Sequence, residues 1–490
     1  MYASLLPNQK PRRRRTVTRI VSVAGLVSLT LPVAALSAAT APKVGVACSK
    51  LKATSRDARG KAVVCQTKNG KKIWQLVGVV TTSPPTSPPT STATPAAVAP
   101  AKGPAKTAGF DGKTVKVGVI TALSGPAAVL GKQLAAGQDV FWKYYNAEKG
   151  GIAGKYPVEV VLEDNLYESN TTVQKYNKIK DNVVMLSQVM GTAPTLALLP
   201  LLKSDNIVAS PASQDALWVR EQNLFPVLEP YQIDAINAMD FVIKGPGGRT
   251  KTICAVIQND VYGEAGLEGL NFAADKLGFE VKVVAKYKQG DQDVTGQVND
   301  LRKGGCQVVF AASLPTEFGK ILGTAAQLGF SPQWIGQSPS WVDSLLLTPL
   351  KDYMTARVLI VAVGPEWADP TVPAAMAYAA RVKQYKPDQK PDYYFTFGYF
   401  QAQATAQLLE KAVAMGNLNH EGIVKAMNSL DRLTFDGLAS DFRYGPPEKR
   451  DPSRFSTIFK VDPAAPFGLR SVLFNFTSEA ARAYTFGKAR

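Results

Sequence analysis

From about Gly109 onward, the chain alternates short apolar segments with longer amphipathic ones, and this alternation constrains the fold more than any other feature. Apolar runs typical of buried strands lie at 114–120, 158–162, 206–209, 252–257, 281–284, 307–310 and 332–335. Segments between them carry apolar residues at helical spacing, such as 133–145, 265–277 and 316–328. Strands that alternate with helices form parallel sheets covered by helices. We therefore predict an α/β protein with two doubly wound parallel-sheet lobes on one chain.

Residues 1–41 have the three parts of a secretory signal. Four arginines at 12–15 and Arg19 precede the apolar run 20–36, and small residues follow at 37–41. The run is shorter than the roughly 20 apolar residues that span a bilayer, and it contains Pro32. A cleaved signal peptide is therefore favoured over a membrane anchor, and we expect an extracytoplasmic location.

A small basic module is predicted at 42–80. Asn69-Gly70 between two β-prone runs indicates a hairpin. A disulfide between Cys48 and Cys65 would compensate for a core too small to fold alone. Lipidation of Cys48 is a weaker alternative, because it lies far beyond the apolar run. The Pro/Thr/Ser-rich segment 81–108 is predicted to be an extended linker.

The positive charge is concentrated at the front of the chain. The net charge is +17, yet residues 1–108 contain seventeen Lys and Arg and a single acid, which leaves the rest of the chain close to neutral. A main domain that bound nucleic acid would carry its own basic excess, so that function is not expected. Residues 42–108 could instead contact an anionic cell envelope and keep the protein at the cell surface, or serve as a solvated spacer.

Nothing in the sequence indicates metal or enzyme chemistry. The four cysteines have no Cys-x-x-Cys spacing, and the single histidine is His420 in a predicted helix start. There is no Gly-x-Ser-x-Gly motif, and the glycine-rich segment 244–251 lacks the ending of a phosphate-binding loop. We expect no cofactor, no metal and no catalytic residue.

Four segments in fixed order carry a family resemblance. They are 117–126 with Ser124-Gly125-Pro126, 145–154 with Gly150-Gly151, 207–213 with Ser210-Pro211-Ala212-Ser213, and 258–266 with Tyr262-Gly263. Over about 109–475 the chain resembles the type I extracytoplasmic solute-binding proteins of the leucine/isoleucine/valine-binding branch. The resemblance implies two α/β lobes joined by three crossovers, with a small ligand in the cleft between them. It also implies a membrane permease of an ABC importer as partner, although a ligand sensor of the same fold remains open.

The lobe boundaries follow from this resemblance. Lobe 1 is expected to comprise 109–229 and 364–445, and lobe 2 to comprise 230–363 and 446–475, with a tail at 476–490. Cys254 and Cys306 open two strands of one βαβ unit, so we expect either a disulfide between them or two separate buried thiols.

Small and hydroxyl-bearing residues follow several predicted strands. Ligands of open parallel sheets bind beyond the carboxyl ends of the strands, where helix N-termini offer free N–H groups. The predicted ligand-binding residues on this basis are Ser124, Gly191, Thr192, Ser210, Ala212 and Ser213. Each of them could also be an ordinary turn or helix cap. Tyr262 matches the position from which the family presses an aromatic ring onto the ligand.

One departure from the family concerns ligand charge. Where the family places an acid that pairs with the ligand's ammonium group, this chain has Gln337 and Ser338. An ammonium buried without a counter-charge is costly. The expected ligand is thus an amino acid only if another acid replaces the missing one, with Glu229 as the candidate. Otherwise it is an amide, a urea-like compound or a carboxylate.

Overall fold

The computed structural model describes residue 47 and residues 54–56, 62–68, 71–76 and 103–487. The chain divides into two compact units, residues 1–97 and 98–490. The predicted signal peptide, Cys48 and the linker up to residue 102 lie outside the described residues. Within the described part of the chain, no helix is both long and apolar enough to cross a bilayer.

The first unit contains an antiparallel sheet with the strand order β1-β2-β3. Its strands are β1 (Thr54–Arg56), β2 (Ala62–Lys68) and β3 (Lys71–Leu76). Lys68 pairs with Lys71, so β2 and β3 form the hairpin predicted around Asn69-Gly70. Cys65 is buried and disulfide-bonded, whereas its predicted partner Cys48 lies outside the described residues.

The second unit begins with a parallel four-stranded sheet in the order β5-β4-β6-β7. Its strands are β4 (Val115–Thr121), β5 (Val158–Asp164), β6 (Met185–Met190) and β7 (Ala209–Ala212). The helices between them are α1 (Ala128–Lys149), α2 (Ser169–Ile179) and α3 (Thr192–Asp205). β7 starts where the predicted strand 206–209 ends, because Asn206 adopts φ 54° and turns the chain after α3.

The chain then enters a seven-stranded sheet with the order β16-β15-β12-β11-β10-β8-β9. Helix α4 (Tyr231–Lys244) leads into β8 (Ile253–Gln258), β9 (Val281–Tyr287), β10 (Val308–Ala312), β11 (Gln333–Gly336) and β12 (Val358–Ala362). The helices among them are α5 (Val261–Leu277), α6 (Thr295–Lys303), α7 (Pro315–Gln327) and α8 (Lys351–Arg357). Strands β8 to β12 are parallel, as predicted for β8 to β11, whereas β12 was not among the strands predicted from the sequence.

After β12 the chain returns to the side of the first sheet, and it then re-enters the second sheet with its last two strands. The returning elements are α9 (Pro373–Tyr385), α10 (Tyr393–Ala414), α11 (His420–Asn428), β13 (Arg432–Leu433) and β14 (Phe442–Arg443). The last elements are β15 (Ser456–Val461), β16 (Leu469–Phe476) and α12 (Glu479–Ala483). β15 pairs antiparallel with β12, so the second sheet is mixed. The three passages between the sheets are the predicted crossovers.

Helices α1 and α10 pack with almost no space between their backbones. A Cβ atom placed on Gly137 of α1 would lie 2.0 Å from the carbonyl oxygen of Phe395, and one on Gly398 of α10 would lie 2.0 Å from that of Leu134. Only glycine permits this approach, because any side chain would overlap the neighbouring backbone. The contact joins segments that are far apart in sequence and places the first turns of α10 above the first sheet.

A disulfide between Cys254 and Cys306 joins β8 to the residue that leads into the neighbouring strand β10, with 5.8 Å between the Cα atoms. Both residues are buried. The disulfide expected from the sequence is therefore confirmed, and it closes a chain segment whose ends are 52 residues apart.

Removal of this cross-link should destabilise the protein by roughly 2–4 kcal/mol, because the unfolded chain regains the entropy of a long loop. We expect Cys254→Ala/Cys306→Ala to lose that free energy of unfolding in denaturant titrations. Either single variant also lacks the cross-link and should lose a similar amount. A double variant as stable as the wild-type protein would contradict this expectation.

Gly398→Ala should lower the free energy of unfolding by about 1–3 kcal/mol or more, because the added methyl group forces α1 and α10 apart. Gly296→Ala is the matched control. Gly296 also lies in a helix, but its added Cβ would meet open space. Because alanine is the better helix former, we expect that variant to gain up to about 1 kcal/mol. Equal effects at the two positions in denaturant titrations would contradict the packing argument.

Candidate ligand-binding site

A cavity of about 30 Å³ lies where the carboxyl ends of strands from both sheets meet. From the side of the first sheet it is lined by Leu130, Leu134, Tyr167, Met190, Gly191, Thr192, Ala212, Ser213 and Gln214. From the side of the second sheet it is lined by Tyr231, Tyr262, Leu314, Ser338 and Pro339, and α10 adds Tyr393, Tyr394 and Phe397. This is the position at which parallel sheets bind ligands.

Hydrogen-bond donors reach the cavity from the end of β6 and the end of β7. Thr192 begins α3, so its backbone N–H has no partner within the helix. Gly191 precedes it with φ 105°, and a Cβ there would lie within 2.9 Å of atoms of Tyr167 and Pro194. Ser213 Oγ accepts a hydrogen bond from the Trp218 indole at 3.1 Å, which leaves its own proton to donate. These groups suit an oxygen atom of a ligand.

Tyrosine rings form much of the remaining wall. The rings of Tyr231 and Tyr262 make an edge contact with centroids 5.1 Å apart. The Tyr262 hydroxyl donates to the Ser313 carbonyl at 3.2 Å, and the Tyr394 hydroxyl donates to the Ser338 carbonyl at 3.0 Å. Because these hydroxyl protons are already bonded to the backbone, the rings of Tyr262 and Tyr394 offer mainly their apolar surface to a ligand. The hydrogen bond from Tyr394 to Ser338 also connects α10 to the loop after β11.

The cavity wall is electrically neutral. No described residue that lines it is an acid, a lysine, an arginine or a histidine. The described residues also include no group of three or more His, Cys, Asp or Glu that could hold a metal ion. The arrangement can surround an apolar body and donate hydrogen bonds to one polar end.

Six of the ten predicted ligand-binding residues line this cavity: Gly191, Thr192, Ala212, Ser213, Tyr262 and Ser338. Three others lie elsewhere and have protein partners. Ser124 is exposed and donates to Asp164 at 2.5 Å, Ser210 Oγ accepts from the Gln401 amide at 3.1 Å, and the Gln337 amide donates to the Tyr231 carbonyl at 2.9 Å. The binding role of all ten residues stays a prediction.

The tenth residue, Glu229, is fully buried and does not line the cavity. Burial, together with the nearby charge of Asp234, raises the pKa of Glu229. Burial also raises the pKa of Asp234 to about 8, although hydrogen bonds from Ser456, Glu229 and Ser338 act in the opposite direction. Two neighbouring carboxyl groups that are both fully buried cannot both ionise near neutral pH. Glu229 therefore keeps its proton, and the structure gives no support for it as a counter-charge to a ligand ammonium.

Sequence reasoning missed the contribution of α10. Tyr393, Tyr394 and Phe397 line the cavity, although they follow the first strand of the second unit by more than 250 residues. The run of aromatic residues at 393–400 was the available signal, since so many rings in one helix exceed what a single buried face needs. The tyrosines at 167 and 231 had no comparable signal, because each stands alone in a loop or at a helix start.

A parallel sheet and a mostly parallel sheet that are joined by three crossovers and meet at a cavity define the type I periplasmic binding protein fold. The family model described as periplasmic binding protein matches residues 114–465. The chain belongs to this family.

Curated relatives and solved structures agree with that assignment. A leucine-, isoleucine-, valine-, threonine- and alanine-binding protein of Pseudomonas aeruginosa is 22% identical over 46% of this chain, and the match spans 60% of that relative's own length. Leu/Ile/Val-binding protein homolog 1 of Brucella abortus is 23% identical over 69% of this chain and 87% of the relative.

Among solved structures, a fatty acid ABC transporter substrate-binding protein from Thermomonospora curvata has a TM-score of 0.72 and 25% identity, over 79% of this chain and 98% of that chain. A branched-chain amino acid ABC transporter protein from Thermus thermophilus with bound valine has a TM-score of 0.65 and 18% identity, over 76% and 100% of the two chains. The chain is thus a solute-binding protein of this family.

The buried acids predict how stability depends on pH. Burial raises the pKa of Glu229, Asp234 and Asp392, the last to about 7. The folded protein therefore keeps protons that the unfolded chain releases near pH 4, and the free energy of unfolding should fall as pH rises from about 4 to about 8. Glu229→Gln removes one of these groups, so its melting temperature should fall less between pH 5 and pH 8 than that of the wild type.

Glu280→Gln is the control for this measurement, because Glu280 is exposed. It should follow the wild-type pH profile in thermal melts. A Glu229→Gln variant with the full wild-type decline would show that Glu229 does not hold a proton in the folded state.

Proposed function

We propose that this protein is the extracytoplasmic ligand-capturing component of an ABC importer and that its ligand is a monocarboxylate with an apolar body. The observation that carries the proposal is the neutral cavity, which has hydrogen-bond donors on one side and leucine and tyrosine side chains around the rest.

The donors suit a carboxylate. The N-terminus of α3 combines a free backbone N–H with the positive end of the helix dipole, which favours a negatively charged group. The Thr192 and Ser213 side chains lie beside it in the cavity wall. Hydroxyl and backbone N–H donors to an ionised oxygen form stronger hydrogen bonds than neutral pairs do.

The rest of the wall favours an apolar body without an ammonium group. Leu130, Leu134, Leu314 and Phe397 line it, and no acid does. An amino acid would bring an ammonium group into this surface, and tyrosine faces alone would compensate it less than a carboxylate would. The similarity to the fatty acid-binding protein of Thermomonospora curvata supports the same class of ligand.

The expected mechanism is closure of two lobes around the ligand. The cavity draws its wall from both sheets, so a ligand contacts both sides only in a closed conformation. A ligand that binds the closed state more tightly shifts the equilibrium toward it. The closed form would then be recognised by the membrane permease. A sensor that reports the same ligand is the second candidate, and a permease gene beside this one would favour import.

The front of the chain completes the proposal. A cleaved signal at 1–41 would export the protein, and the basic segment 42–108 would hold it at an anionic cell envelope. We also propose two lobes, with the boundaries that the family resemblance implies. Lobe 1 comprises 109–229 and 364–445, and lobe 2 comprises 230–363 and 446–475.

Thermal melts of the mature protein with hexanoate, hexanamide, leucine and valine test the ligand class. Hexanoate should raise the melting temperature increasingly with concentration, as binding to the folded state requires. Ser213→Ala removes a donor to a charged group, which is worth about 1.5–3 kcal/mol, so it should weaken hexanoate binding by about 10-fold to 100-fold.

Ser124→Ala removes the same hydroxyl from a serine that does not line the cavity, so it should bind hexanoate like the wild type. Stabilisation by leucine or valine but not by hexanoate would overturn the proposed ligand class.

A further inference from the structure

A second cavity of about 50 Å³ lies on the other side of Tyr393. Tyr393 lines both this cavity and the candidate ligand-binding cavity. The residues of α10 divide between the two according to helical spacing. Tyr393, Thr396 and Phe400 face the second cavity, whereas Tyr394 and Phe397 face the first. Residues three and four apart share a face of a helix, so two adjacent faces of α10 serve two adjacent cavities.

The second cavity is largely apolar, and several of its polar groups already have partners within the protein. Trp367 contacts the ring of Tyr378 at 4.8 Å and that of Phe467 at 5.1 Å, measured between centroids. The Tyr378 hydroxyl bonds to Thr396 at 3.2 Å. Glu366 accepts hydrogen bonds from Arg470 at 3.0 Å and from the Ser471 N–H at 2.8 Å. The buried Tyr393 hydroxyl is the exception, since it has no hydrogen-bond partner in the described part of the chain. An occupant of the rest of this cavity need not supply a polar group.

The walls of the second cavity come from both sides of the molecule. Ala375 and Tyr378 belong to α9 and Phe400 to α10, which return to the first sheet, whereas Phe459 belongs to β15 of the second sheet. The crossover segment 363–368 closes the cavity between them. The backbone at Ala368 and Phe467 adopts positive φ of 53° and 56°, a conformation that side chains rarely take and that occurs at ligand-contacting loops.

The first cavity alone is small for an extended ligand. Its volume is about 30 Å³, so the chain of a long carboxylate needs further space. The second cavity is the adjoining space, and only the Tyr393 ring is shared between the two walls.

On the basis of the function proposed above, we infer that the second cavity is the tail subsite for a long-chain fatty acid whose carboxylate lies in the first cavity. The Tyr393 ring is the partition that rotates to let the chain pass. Short carboxylates occupy the first cavity alone, and the second cavity gives the protein its preference for long chains.

Isothermal titration of the mature protein with hexanoate and with tetradecanoate below its micelle concentration tests this inference. Ala375→Leu fills the second cavity from α9 without touching the first. Displacement of two or more methylene groups should weaken tetradecanoate binding by at least about 10-fold, while hexanoate binding stays within about twofold of the wild type. Ala377→Leu adds the same side chain at an exposed position of α9 and should change neither.

Leu438→Phe fills the same cavity from a different segment, so it provides the same test if Ala375→Leu fails to fold. Unchanged tetradecanoate affinity in a folded cavity-filling variant would overturn the tail subsite while leaving the proposed function intact. A wild-type protein that binds neither acid would overturn the proposed function itself, and the tail subsite with it.

Discussion

The backbone contact between α1 and α10 is the constraint on which both cavities depend. Gly137 and Gly398 let the two helices approach until a single Cβ atom would overlap the facing carbonyl. That approach places the first turn of α10 beside the carboxyl ends of the first sheet, next to Leu130 and Leu134 of α1. A wider helix spacing would displace Tyr393 and Tyr394, so two glycines that line neither cavity position the aromatic residues in the walls.

The candidate site is free of charge because two acids behind its wall are buried and protonated. Glu229 and Asp234 do not line the cavity but are fully buried, and burial raises the pKa of both. Ser338 lies between the two regions, since it lines the cavity and its hydroxyl lies 3.3 Å from Asp234. Ser338 is itself neutral, and burial keeps the acids behind it protonated near neutral pH. This arrangement supports the proposed ligand class, a monocarboxylate without an ammonium group.

Family membership and the proposed ligand class thus rest on different parts of the structure. The order of strands, helices and crossovers makes it a solute-binding protein and puts a cavity between the two sheets. The proposed ligand class rests instead on a few side chains at strand ends and on the aromatic start of α10. Because those side chains belong to loops and first helical turns, they can change without altering the buried strands that hold the sheets together.

The sequence by itself determined the α/β class, the parallel strands from β4 to β11 other than β6, and the hairpin at Asn69-Gly70, because periodicity and turn chemistry are local properties. It also indicated the helix start that holds Thr192 and the strand end that holds Ser213. It did not indicate β6 or β12, and it left Cys254 and Cys306 open between a disulfide and two buried thiols. Only the tertiary structure decided that Ser124 faces solvent, that Glu229 is buried against Asp234 and that α10 completes the cavity. These outcomes bring together residues that are far apart in sequence, such as Leu130 and Tyr394, which line one cavity although they are 264 positions apart, and no local pattern specifies which distant segments will pack together.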